Sequence, residues 1–315
     1  MSFIHLLQSK VWNVFKKEYG ANVVELNSVY INVKTIPFFR IKIGYAPKVN
    51  FLLQQVDFHS LSVFCKTYGI SFIRFDSPNN FSGTEDAKKV LELLNKYCVK
   101  SPRSSISMKT IFINLHMPIA DLLSQMHHKR QYNIRLAEKK GVTINFDSSE
   151  QALIRFIKLY KVTQNRQKFF GYSDLYLRLL WKHFEKSLFF AEAYFQNNIC
   201  SSWLILNSED VYYYLYGASD EMFNSVFPND LLGFRVIVHT KELGGSFLDL
   251  WGANDNKGYT EFKKKFGGVV VEYIPSYDFL LNKAAYYFFN SAYNFFWLLP
   301  YPIKKVINYL YKRLN

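Results

Sequence analysis

The sequence predicts an α/β fold with mixed sheets, built as two similar domains, and three observations lead there. Helix and strand signals alternate from Leu6 to Phe146 and begin again at Ser149. A short pattern also recurs: Lys66, Gly69, Ser71 and Phe72 reappear as Lys241, Gly244, Ser246 and Phe247, every position displaced by 175 residues. Finally, 315 residues at 49% hydrophobic and 20% charged are enough for two cores. A disordered chain and a small disulfide-stapled scaffold are both excluded.

The elements follow in order. Leu6–Tyr19 has apolar residues at helical spacing and Gly20 where a helix would stop. Val23–Val33 and Phe38–Gly44 read as strands, rich in Val, Ile and Phe and separated by Pro37. A helix over Phe51–Tyr68 leads to a strand at Ile70–Phe75. After a polar loop come a helix at Glu85–Cys98, a strand at Ser107–Leu115 and a long basic helix from Pro118 to Lys140. Gly141 ends that helix, and Val142–Phe146 follows as a strand. The second round has helices at Ser149–Phe169 and Ser173–Lys186, then strands at Leu188–Phe195, Ser201–Leu206 and Val211–Tyr216. A helix over Asn229–Leu243 stops at Gly244 and Gly245, and Ser246–Trp251 reads as a strand. The expected domains are residues 1–148 and 149–279, with a tail at 280–315.

The tail differs from both halves. Tyr286, Tyr287, Phe288, Phe289, Tyr293, Phe295, Phe296 and Trp297 precede Pro300, Pro302 and a basic stretch with Lys304, Lys305, Lys312 and Arg313. Asn290, Ser291 and Asn294 make the apolar run too short and polar to span a membrane. Rings beside lysines suit the inner membrane surface at head-group level, or packing back on the body or on a second subunit.

Charge narrows the partners. Against 25 Asp and Glu stand 39 Lys and Arg, a net +14, which favours polyanions such as RNA, anionic head groups or phosphorylated ligands. Cys65, Cys98 and Cys200 lack the paired spacing of a zinc site or disulfide framework, so a reducing, cytoplasmic setting is expected. The first twenty residues do not read as a signal peptide. No phosphate-cradling glycine loop, HExxH, paired CxxC or nucleophile elbow is present. That removes most dehydrogenases, kinases, zinc proteases and serine hydrolases, and no metal or cofactor is expected.

Four segments stand out together. They are Leu7-Gln8-Ser9 with Trp12 and Lys16; the basic run from Met126 to Val142; Thr163 with Arg166, Phe169 and Phe170; and a block from Tyr214 through Phe247–Gly252 to Gly258–Gly268. In this order they resemble the Fem-type aminoacyltransferases (FemA, FemB, FemX), which attach amino acids from aminoacyl-tRNA to the stem peptide of peptidoglycan precursors. The resemblance runs from about Leu7 to Tyr277. It implies two tandem GNAT-like domains, and with no heptad insertion the chain is closer to the armless FemX type. One departure lies in the basic helix, usually Lys-x-Arg-x-Asn-Ile-Arg. Gln131 stands at the central arginine position and Arg130 one residue earlier, a turn of about 100° on a helix.

The resemblance implies roles. Lys16, following Trp12, matches the lysine that meets the phosphates of a nucleotide-linked precursor, and Arg166 a second phosphate ligand. Phe170 stands where armless members have a tyrosine, so that hydroxyl contact is missing. Asp76, at a strand end, is expected to hold the acceptor amine. Tyr214 and Tyr216 alternate with Leu215, so both should face one side of a strand and line the acceptor groove with Asp249. Arg130, Arg135, Lys264 and Lys265 are expected to meet the tRNA. Phe262 and Lys263 match the pair that contacts the aminoacyl end of the tRNA and are the expected catalytic residues, with Lys263 stabilising the charge that develops as an amine attacks the ester.

Aminoacyl transfer from tRNA to a lipid-linked or UDP-linked precursor, by a monomer in a cleft between the two domains, is the leading expectation. Alternatives are an acyl-coenzyme A-dependent N-acyltransferase of GNAT type acting on a polysaccharide or protein amine, and a non-catalytic membrane or RNA adaptor.

Overall fold

The structure, a computed structural model, describes residues 3–36, 39, 41–168, 171–255 and 258–298. From the start, α1 (Lys10–Glu18) precedes β1 (Val23–Leu26), β2 (Val29–Ile36) and β3 (Ile41–Pro47). Then α2 (Phe58–Tyr68) leads into β4 (Ile70–Asp76), and α3 (Glu85–Tyr97) into β5 (Val99–Lys100). Next come β6 (Lys109–Asn114), α4 (Ile119–Ser124), α5 (His128–Lys139), β7 (Thr143–Asp147), α6 (Glu150–Gln167) and α7 (Asp174–Phe184). The meander β8 (Leu188–Phe195), β9 (Asn198–Ser208), β10 (Val211–Ser219) is followed by α8 (Pro228–Glu242) and β11 (Phe247–Asp249). The chain closes with α9 (Gly258–Lys264), β12 (Val269–Glu272), β13 (Tyr277–Leu280) and α10 (Lys283–Leu298).

Two compact units result. One runs to Ile106 and resumes at Tyr273; the other is Ser107–Glu272. The first holds a six-stranded sheet in the order β1-β2-β3-β4-β13-β5, and the second a seven-stranded sheet, β12-β6-β11-β10-β9-β8-β7. Each sheet is mixed, as the sequence implies. Its one parallel pair, β3/β4 or β10/β11, is joined by a helix, α2 or α8, and the other neighbours are antiparallel.

The repeat lies at that joint in both units. Gly69 ends α2 at φ 66° and Gly244 follows α8 at φ 82°, left-handed values that glycine tolerates without a Cβ clash. The strand after each glycine then adds parallel to the meander.

The domain boundary differs from the expectation. Ser148 lies inside the second unit, because β6 pairs with β11 and β7 with β8. Residues beyond 272 return to the first unit, where β13 fits between β4 and β5. Arg74 on β4 clasps Asp278 on β13 through two bonds of 2.8 Å, with both side chains buried. Sequence periodicity reports local structure and carries no signal for such non-local pairing.

Smaller differences have local causes. The expected strand Val23–Val33 is a hairpin, with Asn27 and Ser28 both at positive φ in its two-residue turn. The expected helix from Phe51 begins only at Phe58, where Asp57 accepts from the backbone N–H groups of His59 and Ser60. The long basic helix is two helices, α4 and α5. Gln131 turns back at the break, and its Nε2 donates to the carbonyl of Met126 at 2.8 Å.

In the second unit, α5 and α8 cover one sheet face around Trp203, Ile205, Val236, Leu248 and Phe266. In the first, α2 and α3 cover theirs around Phe64, Ile73, Phe75 and Leu94.

Candidate functional site

The geometry in the second unit starts where β11 ends. Asp249 is buried, and its carboxylate accepts from the Thr110 hydroxyl and, at 2.7 Å, from the backbone N–H of Trp251. Trp251 sits at φ 60°, a strained conformation for a bulky residue. The turn aims two carbonyls at α9, and the Lys263 ammonium donates to both, to Trp251 O at 2.8 Å and Gly252 O at 3.1 Å. Two of its three N–H donors are thus used within the chain. The rings of Tyr259 and Tyr214 lie 5.2 and 5.7 Å from the ammonium. Burial pushes the Lys263 pKa down to about 8, against the opposing pull of Asp249. Asp249 therefore serves the turn that holds Lys263.

Phe262, the preceding residue of α9, packs against the core of the second unit. Its ring meets Trp203 edge-on at 6.2 Å and Phe266 at 5.4 Å. Above it lies Arg130, with its guanidinium 4.4 Å from the Phe262 ring and 3.9 Å from that of Phe266. Arg130 also donates to the Phe262 carbonyl at 2.8 Å and pairs with Asp230 on α8 at 3.0 Å. Only 3% of Arg130 is exposed. Burial lowers its pKa and raises that of Asp230. The arginine expected on RNA is instead the buried pin that joins α5, α8 and α9. It lines a cavity of about 240 Å³ with Lys129, Asn133, Asp230, Phe262 and Lys265.

Of the other residues expected at RNA, Arg135 and Lys265 are exposed on α5 and just beyond α9. Lys264 is exposed and paired with Glu261 at 3.0 Å. Lys265 shares the cavity rim with Lys129.

Tyr214 and Tyr216 do not share a face. A bulge at Leu215 sets Tyr214 opposite Ile205 and Tyr216 opposite Leu204, successive residues of β9, so the two rings leave opposite sides of the sheet. Tyr214 stacks on Trp203 at 4.1 Å, on the side of Lys263. The Tyr216 hydroxyl lies 3.1 Å from that of Tyr176, among Tyr160 and Tyr172 on the α6–α7 side. Burial raises both tyrosine pKa values. Arg166 on α6 reaches Ser219 at 3.4 Å, at the end of β10. Phe170 lies outside the described residues.

The first unit holds the remaining expected residues. Trp12 is buried and meets Phe15 edge-on at 5.4 Å, a core role. Lys16, one turn later, lies 5.3 Å from the Tyr19 ring, and burial and then the charge of Lys34 lower its pKa. Asp76 is fully buried. Its carboxylate accepts from Ser276 Oγ at 2.6 Å, from the backbone N–H of Ser105 at 2.9 Å and from Tyr45 Oη at 2.9 Å. The chain's own donors take the place expected for an acceptor amine.

Asp230, Trp203 and Thr110 complete these clusters and were not singled out from the sequence, while Tyr259 lies within the Gly258–Gly268 block but was given no role of its own. Thr110 is 139 residues from Asp249, and Asp230 is 100 from Arg130, too far apart for any local pattern to couple them. Among the described residues, no group of three or more His, Cys, Asp or Glu could hold a metal ion.

Comparison with known proteins follows the same division. The acetyltransferase (GNAT) domain family matches residues 124–264. The lipid II:glycine glycyltransferase of Staphylococcus saprophyticus is 32% identical over 81 residues, 24% of this chain and 20% of that protein. This chain thus spans about a fifth of that relative's length. The solved structure of FemX is similar over 90% of this chain and 94% of its own, with a TM-score of 0.79 at 18% identity. The C-terminal domain of a putative lysylphosphatidylglycerol synthetase from Agrobacterium fabrum is similar over 90% and 91%, with a TM-score of 0.58 at 11% identity. The fold is therefore the tandem GNAT-like fold of FemX.

Proposed function

We propose that the chain, two GNAT-like units with the fold of FemX, is a Fem-type aminoacyltransferase moving an amino acid from aminoacyl-tRNA to an amine of a peptidoglycan-precursor stem peptide. The observation that carries this reading is Lys263, an ammonium held by two carbonyls of a strained turn beside two tyrosine rings.

In the reaction, the acceptor nitrogen bonds to the carbonyl carbon of the aminoacyl ester. The bond to the terminal ribose oxygen breaks, and the proton lost by the amine goes to that oxygen. Negative charge builds on the carbonyl oxygen between these events. A preplaced cation stabilises it by about 3 kcal/mol, and Lys263 has one N–H donor left for it. The ester is already activated, so holding the two substrates together supplies much of the rest.

In this reading Lys129 and Lys265, at the cavity rim, meet the RNA backbone, together with the exposed Arg135 and Lys264. Arg130 holds Phe262 and α9 in place through the Phe262 ring and carbonyl. Lys16 and Arg166 are assigned to phosphates of the acceptor, which is lipid-linked or nucleotide-linked. The protein acts as a monomer on the cytoplasmic side of the membrane.

The acyl-coenzyme A alternative is disfavoured at α8. A pyrophosphate seats on backbone N–H groups at a helix N-terminus. The first turn of α8 instead carries Asp230, and no glycine occurs between Glu221 and Pro228. The test is to incubate the purified protein with charged tRNA and a lipid-linked or nucleotide-linked precursor and weigh the acceptor by mass spectrometry. One added aminoacyl residue is expected. Transfer from acetyl-coenzyme A but not from charged tRNA would overturn the reading.

A further inference from the structure

The last described helix of the first unit is apolar on two sides, and among the described residues one side packs on the body while the other stays largely exposed. Toward the body, Tyr286 and Phe289 pack on Phe72 at 5.1 and 5.5 Å, and Tyr286 Oη donates to Asp278 at 3.0 Å. Arg103 secures the same side, donating to Asn290 Oδ1 at 2.8 Å with its guanidinium 3.5 Å from the Tyr293 ring. The opposite side carries Phe288, Phe295 and Leu298 at helical spacing with Tyr287 beside them, and Leu298 is 83% exposed. Phe39, between β2 and β3, extends this stripe and meets the Phe288 ring at 4.8 Å. Such a contiguous row of exposed rings is a binding surface.

Two observations identify the occupant. From Phe279 to Asn315 the sequence has no Asp or Glu but has Lys283, Lys304, Lys305, Lys312 and Arg313. A second copy would add five cations to five, whereas an anionic surface would neutralise them. The exposed side chains are also mainly Phe and Leu with one Tyr, an apolar face of the kind that an in-plane helix sinks to the boundary of head groups and acyl chains. No described helix is long and apolar enough to cross a membrane, and α10, at 16 residues, is about 24 Å long. From this we infer that α10 lies in the plane of an anionic phospholipid bilayer, with Phe39, Phe288, Phe295 and Leu298 at the acyl boundary, and that the net positive charge of the tail sequence, most of it beyond the described residues, supplies the attraction to head groups.

This surface is separate from the reaction proposed above, and its test needs neither tRNA nor acceptor. The full chain is sedimented with vesicles of equal phosphatidylglycerol and phosphatidylcholine, and with phosphatidylcholine vesicles alone. Binding to the first and weak binding to the second are expected. Phe288→Glu/Phe295→Glu/Leu298→Glu should weaken binding to the anionic vesicles about a hundredfold, from three apolar groups left in water. Leu298→Glu alone, at the most exposed position, should weaken it several-fold with an unchanged melting temperature, which separates the surface effect from any folding defect. Wild-type sedimentation by both variants would overturn the proposal. So would a vesicle-free dimer of the wild type that the triple variant dissociates, since a second copy would then cover the stripe.

Discussion

Lys263 can stabilise a developing oxyanion only as an ammonium, and its pKa of about 8 places the loss of that charge within reach of assay. Because the value is lowered from 10.5, the cation is present below about pH 8 and disappears above it. kcat/KM for transfer should therefore fall on the alkaline side, with a midpoint near pH 8. Lys263→Met should lower turnover by about 10²-fold and remove that limb. Lys263→Arg, always charged, should retain part of the rate without it. A Met variant with the wild-type pH profile and rate would take Lys263 out of the mechanism. At this scale the sequence was a partial guide. The Phe262-Lys263 pair stands out in the sequence because its residues are adjacent and resemble a family pattern, whereas the burial of Arg130 leaves no such mark. A basic residue on a polar helix reads as solvated, and its counter-ion Asp230 belongs to a helix formed much later in the chain.

Elements decide which side chains reach the site. Alternation puts Tyr214 and Tyr216 on one face, but the unpaired Leu215 reverses that, and a bulge leaves no mark in the hydrophobic pattern. The packing of α8 is set by a small residue. A Cβ added at Gly233 would come within 2.2 Å of Phe266 Cζ and 2.7 Å of Trp203 Cη2. Gly233→Ala should consequently cost about 1–3 kcal/mol through overpacking, outweighing the helix propensity that alanine adds. Chemical denaturation measures it, and an unchanged midpoint would mean that the two rings move aside freely. Helices with clear caps were well read, such as α3 behind Thr84 and α6 behind Ser149, because capping is decided within four residues.

For the whole molecule, the controlling fact is that the first unit is discontinuous and the second is not. Residues 107–272 contain every strand of the seven-stranded sheet. Expressed alone, that segment should unfold cooperatively. Residues 1–106 alone should not, since β4 would lack β13 and Arg74 would keep a buried charge without Asp278. Circular dichroism melts of the two fragments check this, and a cooperative melt of 1–106 would show that β13 is dispensable. The sequence by itself determined the α/β class, the duplicated helix–glycine–strand joint and the basic, aromatic character of the tail, since all of these are written in residues a few positions apart. Only the tertiary structure decided where the units divide, which arginine is buried, which face each tyrosine takes and which side of α10 is left exposed. Those depend on strand pairing and side-chain contacts between residues as much as 204 positions apart, where the chain's local preferences are silent.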